Sequence, residues 1–438
     1  MSEPESDLPE VQAWLVTVDM GYGHQRAAYP LQRVARDGVI NANQYPGMPD
    51  SDRKVFADLE RFYNAVSRFK KVPLLGPLAF RVYDRFQAIP PFDPRRDMSR
   101  PTLQVRGATR LIRRRRWGRT LIESLWARQQ LPFLSTFFST AHMADVHGYP
   151  GPIYCVICDA DCSRDWVAAN PRSSRIFYFA PTPRVCERLK LYGVPSERML
   201  LTGFPLPEEN LGYPGFDILR ADTASRLAIL DPERRFLGPN AEQVLAALAP
   251  GRPPERPARP LTVLFAVGGA GVQADIGLQA ASLLAGRIRG GELRLVLVAG
   301  VSPRVLEIFR NGLEAAGLQG LKGLEILYEP DKQRYFQKFN LALRATDILW
   351  TKPSELSFYT ALGLPILMAP TIGSQEDFNR EWLLGLEAGI DQGDMREFER
   401  WFFELLRSGA FARAAFNGFS RAPRQGTYNI IRRLAQLS

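Results

Sequence analysis

Cysteine and histidine are scarce in this chain. Four cysteines in 438 residues, Cys155, Cys158, Cys162 and Cys186, do not make a disulfide framework at this size. The spacing of Cys155, Cys158 and Cys162 has some metal or redox character. Cys155, however, falls inside the apolar run 153–157, which reads as a strand, and no histidine cluster accompanies it. No metal site and no cofactor are assigned. Long apolar runs are also missing, and none could span a bilayer. Residues 1–10 are acidic and loose, without the pattern of a secretory signal, so a cytoplasmic protein is expected. No Gly-Lys-Ser/Thr follows the first glycine loop. No helix-turn-helix, zinc-finger or RNA-binding signature accompanies the positive charge, and nucleic acid is not expected as a partner.

What the chain does have is charge, apolar content and order. Its formal net charge is +10 and 45% of its residues are hydrophobic. The length suits two or three domains, and the charge suits an anionic membrane surface or a phosphorylated substrate. Short apolar runs alternate with helical patterns, which predicts parallel sheets with helices on both faces. Strands are expected at 14–18, 133–139, 154–158, 175–179 and 199–202 in the first half. In the second half they are expected at 261–267, 293–298, 324–328, 347–350 and 365–369. The stretch 251–260 holds four prolines and reads as a linker. The expected organisation is therefore a loose terminus over 1–10, a first domain over 11–250 and a linker over 251–260. A second domain over 261–410 follows, and a final helical segment over 411–438 returns to the first. The fold class is α/β, two doubly wound Rossmann-like domains with a cleft between them.

The most informative stretch is Gly21-Tyr22-Gly23-His24, which follows the first apolar strand. Glycine permits a tight turn and close approach of the backbone to a ligand. A helix is expected to open at His24, and its free N–H groups would face an anion. A plain turn carrying an exposed histidine is the alternative. Asp159 ends another apolar strand, where a carboxylate is costly unless used or paired; an N-cap is the alternative there. His142 stands at the end of the strand expected over 133–139. His147 has no comparable placement.

The region 51–130 is basic and aromatic. It carries Phe80 in an apolar segment, then Arg106, Arg110, Arg113, Arg114, Arg115, Arg116 and Arg119, with Trp117 and Trp126 nearby. Arginine mixed with aromatic residues suits an interfacial surface and anionic headgroups. Phe80, Arg113 to Arg116 and Trp117 are the expected membrane contacts. A solvated basic helix is the alternative.

These motifs together resemble a family. Gly21 to Ala28, the segments 179–185 and 191–195, and Gly203-Phe204-Pro205 resemble in order the two-Rossmann-domain (GT-B) glycosyltransferases. So do the segment 265–269, the run Asp347 to Pro353, Gly363-Leu364-Pro365, and Gln375-Glu376 with Asn379. The likeness is to the branch holding the peptidoglycan N-acetylglucosaminyltransferase and the monogalactosyl- or glucosyl-diacylglycerol synthases. The lipid-glycosylating members fit best, because Ile157-Cys158-Asp159 continuing to Trp166 resembles their segment as well.

The resemblance implies transfer of a hexose or N-acetylhexosamine from a nucleotide diphosphate sugar to a hydroxylated, lipid-linked acceptor. The protein would then touch the inner membrane face peripherally. A sugar-nucleotide epimerase or hydrolase, and a non-catalytic nucleotide-sugar-binding protein, are the alternatives. His24 and Asp159 are the implied catalytic residues. Gly268, Gly269, Gly271, Lys352, Ser354, Glu355, Gln375, Glu376 and Asn379 are implied on the donor side, and Gly21, Gly23 and His142 on the acceptor side. The position of the family's ribose-holding acid is occupied by Phe358, with Glu355 three residues earlier as the candidate substitute.

Overall fold

A computed structural model describes residues 8–69, 89–248, 255–266 and 271–437. Phe80, Gly268, Gly269 and much of the proline-rich stretch lie outside the described residues. The chain builds two six-stranded sheets.

The first sheet holds β1 (Trp14–Thr17), β2 (Ile40–Asn41), β3 (Phe133–Ser135), β4 (Ile153–Val156), β5 (Ile176–Ala180) and β6 (Met199–Leu201), in the order β2-β1-β3-β4-β5-β6. The second holds β7 (Leu261–Ala266), β8 (Leu293–Gly300), β9 (Leu324–Tyr328), β10 (Ile348–Thr351), β11 (Ile366–Met368) and β12 (Gly389–Asp391), in the order β12-β11-β10-β7-β8-β9. Every strand pair is parallel. Parallel strands covered on both faces read as unbroken apolar runs, and all residues of β1 and β7 are buried. This is the expected α/β class, two doubly wound Rossmann-like domains. Strand order reverses between β1 and β3 in one sheet and between β7 and β10 in the other. Ligands in such folds gather in the crevice outside the carboxyl ends of strands at those reversals.

Several elements differ from the expected ones. The helix after the glycine loop is short, Gly23–Ala28, and passes into a 3-10 turn at Tyr29–Val34. Pro30 lacks the N–H an α-helix would need there. β3 stops at Ser135, and the helix Phe138–Val146 begins where more strand was expected. His142 therefore sits within a helix, 5% exposed, not at a strand end.

Within the span expected as the first domain, the helix Asp217–Leu230 makes contacts with the second sheet's elements. Arg226, in the helix Asp217–Leu230, is buried. It donates to the carbonyls of Thr346 (2.7 Å), Leu362 (2.8 Å) and Leu343 (3.2 Å). Asp347 is likewise structural, taking two hydrogen bonds from Arg259 and one from the Thr262 N–H at the foot of the sheet.

The final helix, Gly426–Leu437, lies against the first domain. Thr427 Oγ1 donates to the Leu206 carbonyl at 2.7 Å, and Asn429 Nδ2 to that of Thr202 at 2.9 Å. Tyr428 stacks on Tyr213 at 4.0 Å. A Cβ on Gly426 would stand 2.0 Å from the Phe204 carbonyl oxygen, so only glycine fits.

In the basic region, Thr102 caps the helix Leu103–Arg115 by accepting from the Val105 N–H. Arg113 to Arg116 are exposed at its carboxyl end, where positive charge complements the helix dipole. Trp117 corrects the sequence reading. It is 2% exposed and packs edge-on against Phe56 at 4.9 Å, so it belongs to the core and not to an interfacial surface.

Candidate functional site

The loops at the carboxyl ends of β1 and β4 meet those of β8 and β10, so the two reversal points face each other across the domain boundary. Tyr22 reaches over from the first glycine loop. Its hydroxyl accepts from the Val301 N–H at 2.9 Å, and a Cβ on Gly300 would come within 2.3 Å of that oxygen. Lys332 pairs with Asp19 nearby.

His24 opens onto this boundary, half-buried. Its Nδ1 lies 2.8 Å from the Thr136 carbonyl oxygen. A carbonyl only accepts, so Nδ1 carries the proton and Nε2 keeps its lone pair when the ring is neutral. Burial lowers the His24 pKa to about 4, partly opposed by the Thr136 carbonyl and by Glu355. The ring is therefore neutral at physiological pH. Its walls are aromatic: Phe137 stands edge-on at 4.6 Å, Trp166 lies at 5.9 Å, and Phe137 and Phe138 are 4.4 Å apart.

Asp159 stands at the end of β4, half-buried at the boundary. It accepts from Asn379 Nδ2 at 3.2 Å. Burial pushes its pKa up to about 7; the Asn379 hydrogen bond opposes this, Glu355 and Glu376 add to it, and Lys352 subtracts. A carboxyl that titrates near neutrality suits proton transfer. By contrast Asp161, two residues on, is buried with a two-pronged bond from Arg188 (2.8 and 2.9 Å) and another from Arg184. It is structural.

The second domain's residues divide into two groups. Asn379 is fully buried and its amide is occupied. Oδ1 accepts from the Ala160 N–H at 2.8 Å, and Nδ2 donates to Asp159 and to the Pro353 carbonyl. It holds the Asp159 loop, and the amide that the resemblance places on the donor side is taken up within the protein. Glu376 is also engaged: it pairs with Lys352 and accepts from the Ile372 N–H at 2.7 Å beside the helix Ser374–Gly385. Gln375 and Ser354 remain partly exposed at the boundary. Gly271 has φ +61°, and a Cβ there would meet Val305 at 2.7 Å; the helix Ala274–Leu283 follows.

Glu355 lies 3.2 Å from Arg26 Nε and beside Gly23. Phe358, at the place of the family's ribose acid, is 2% exposed. It stacks on Phe204 at 4.5 Å and meets Trp382 at 5.0 Å, joining the domains by apolar contact.

Gly21, Gly23, His24, Asp159, Lys352, Glu355, Glu376 and Asn379 thus belong to one neighbourhood. His142 does not open onto it, because its Nε2 lies 3.3 Å from the Trp166 carbonyl inside the first domain. The buried thiols of Cys155 and Cys158 are pushed up in pKa by burial. Among the described residues no cluster of three or more acidic, histidine or cysteine side chains is arranged to hold a metal. Sequence reading missed Arg26, Phe137, Phe138, Tyr335 and Phe339 as boundary residues. Their motifs carry no chemical signature; only the helical spacing of Tyr335 and Phe339 marks them, and it marks them as core.

No protein-family model and no curated protein sequence matches the chain. Among solved structures it is similar to UDP-GlcNAc 2-epimerase from Neisseria meningitidis bound to UDP-GlcNAc, with 13% identity over 79% of this chain and 83% of that one, at a TM-score of 0.46. It is similar to MurG of Acinetobacter baumannii, with 11% identity over 97% and 99% of the two chains and a TM-score of 0.45. HepE of Anabaena in complex with UDP-glucose shares 11% identity over 73% and 82%, at 0.43.

Proposed function

We propose that the protein transfers a hexose or N-acetylhexosamine from a nucleotide diphosphate sugar to a hydroxyl of a lipid-linked acceptor. The observation that carries this reading is Asp159. It is held by Asn379 at the domain boundary and titrates near neutrality, opposite polar side chains of the second domain. Asp159 takes the proton of the acceptor hydroxyl. The new bond forms from that oxygen to the anomeric carbon as the bond to the departing diphosphate breaks. His24, neutral, accepts a hydrogen bond at Nε2 and orients the acceptor. Lys352 faces the leaving group as a cation partly countered by Glu376, and the Gly268–Gly271 loop would offer N–H groups to it. Gln375 and Ser354 supply hydrogen bonds to the donor. Glu355 is the donor-side carboxylate in place of Phe358.

Two features favour a lipid-linked acceptor. Phe137 and Phe138 give the His24 side an apolar wall. The helix Leu103–Arg115 presents Arg106, Arg110, Arg113 and Arg114 along one face, with Leu103 72% exposed beside them. None of these arginines has an ion-pair partner among the described residues, and the face suits reversible contact with an anionic membrane. No helix among the described residues is long and apolar enough to cross a membrane.

The test is a nucleotide-sugar panel read for binding and for released nucleotide, with and without membrane lipid. Lipid-dependent nucleotide release supports the proposal. No binding to any member defeats the donor site. Interconversion of free nucleotide sugars without acceptor makes the protein an epimerase, and saturable binding without turnover makes it a binding protein.

A further inference from the structure

Arg26 sits two residues beyond His24, and its side chain is 2% exposed. Although it belongs to the first domain, its surroundings belong largely to the second. The guanidinium lies 4.0 Å over the Phe339 ring, with Phe336 and Tyr335 at 5.3 and 5.5 Å and Tyr22 of its own loop at 5.7 Å. Its Nη2 donates to the Tyr335 hydroxyl at 2.7 Å, and its Nε stands 3.2 Å from Glu355. Tyr335, Phe336 and Phe339 share the helix Lys332–Arg344, and Glu355 and Tyr359 the 3-10 turn Glu355–Leu362. Burial opposes the charge, but Tyr335, Tyr359 and Glu355 more than offset it, so the cation is held more firmly than in water.

A buried cation is expensive unless its partners are all in place. Here the partners are supplied by the other domain. If the domains part, Arg26 leaves the box and Glu355 loses its counter-ion. We propose that Arg26 is an interdomain clamp, a cation plugged into an aromatic and carboxylate box, whose withdrawal accompanies opening of the cleft. Its position ties that opening to the site: the six-residue helix Gly23–Ala28 carries both Arg26 and His24, and Glu355, which pairs with Arg26, stands 3.5 Å from where a Cβ on Gly23 would lie. Withdrawing the plug therefore carries His24, which stays anchored to Thr136, away from the second domain and frees Glu355 in one movement. This inference does not depend on the reaction assigned above, and neither does its test.

Two backbone amides report on the closed state. The Val301 N–H donates to the Tyr22 hydroxyl, and the Ala160 N–H to Asn379 Oδ1. Both acceptors are side chains of the opposite domain. Residue-resolved hydrogen exchange on the full chain is the measurement, with the Leu295 amide inside the second sheet as control, since it donates to the Gly323 carbonyl. Arg26→Gln is expected to speed exchange at Val301 and Ala160 by about tenfold or more while leaving Leu295 unchanged. Small-angle scattering should give a larger radius of gyration for the variant. If Arg26→Gln does not fold, Tyr335→Phe decides, because it removes only the hydroxyl that accepts from Arg26; a smaller increase at the same two amides is expected. Unchanged exchange at Val301 and Ala160 in whichever variant folds would overturn the clamp, and so would acceleration shared equally by Leu295.

Discussion

Asp159 and Asn379 place a titrating carboxyl where folding stability and chemistry pull in opposite directions. The folded-state pKa of Asp159 is raised to about 7 from an ordinary value near 4. Its contribution to stability is therefore fully present below the unfolded value and is lost as pH rises through about 7. His24 works in the other sense. Its folded pKa is lowered to about 4, so its contribution is present above the unfolded value near 6.5 and is lost as pH falls through about 4. The two oppose each other between these limits, and only single variants separate them. Asp159→Asn keeps an acceptor for Asn379 and removes the ionisation. At pH 8 it should be more stable than wild type by about 1–3 kcal/mol, with the gain fading toward pH 4, as read by urea unfolding across pH. The same variant should lose about 10²–10⁴ in turnover. Wild-type turnover should rise with pH through about 7, as the carboxyl becomes a base. His24→Ala should also cut turnover strongly while the fold, read by circular dichroism, persists. Near-normal turnover in both variants would remove these residues from the chemistry.

At the scale of single elements, parallel sheets were legible because their strands are continuous apolar runs bounded by glycine and proline. The helix Leu103–Arg115 was legible as a basic stretch, but its two faces were not separable by composition. Arg113 to Arg116 are solvated while the adjoining Trp117 points inward, because Arg116, left-handed at φ 53°, ends the helix, and Gly118, at φ +79°, opens the next. Replacing Arg113 to Arg116 with serine should weaken sedimentation with anionic liposomes at low salt and make little difference at high salt, where screening already removes the attraction. Binding unaffected by the replacement at low salt would reject this face. The candidate site was legible in part for a similar reason. His24 and Asp159 follow strands, so topology alone brings them to the carboxyl ends. The engagement of Asn379 could not be read, because it depends on the Ala160 N–H and the Asp159 carboxylate that the other domain brings within reach; that of Glu376 depends on Lys352 and the Ile372 N–H, which the loops after two strands of its own domain bring together.

For the whole molecule, the returning final helix has consequences that begin at a glycine. Gly426→Ala should be destabilising by about 1–3 kcal/mol in thermal or urea unfolding, since the added methyl would collide with the Phe204 carbonyl. That same contact fixes where the chain passes between the domains. It passes once around residues 206–217 and again around 422–426, and the two passages approach each other: the Arg424 guanidinium lies 6.0 Å over the Phe216 ring. The domains are therefore joined not by a single thread but by two straps: the second crossing ends in the final helix docked on the first domain, far along the chain from Arg26. A proteolytic cut in the first strap would leave the halves as two polypeptides held together only by the docking of the final helix on the first domain, whereas a cut in the second would free the final helix and leave the halves joined through the first strap. Cuts in both straps would give three pieces: two that each carry one complete parallel sheet, and the final helix.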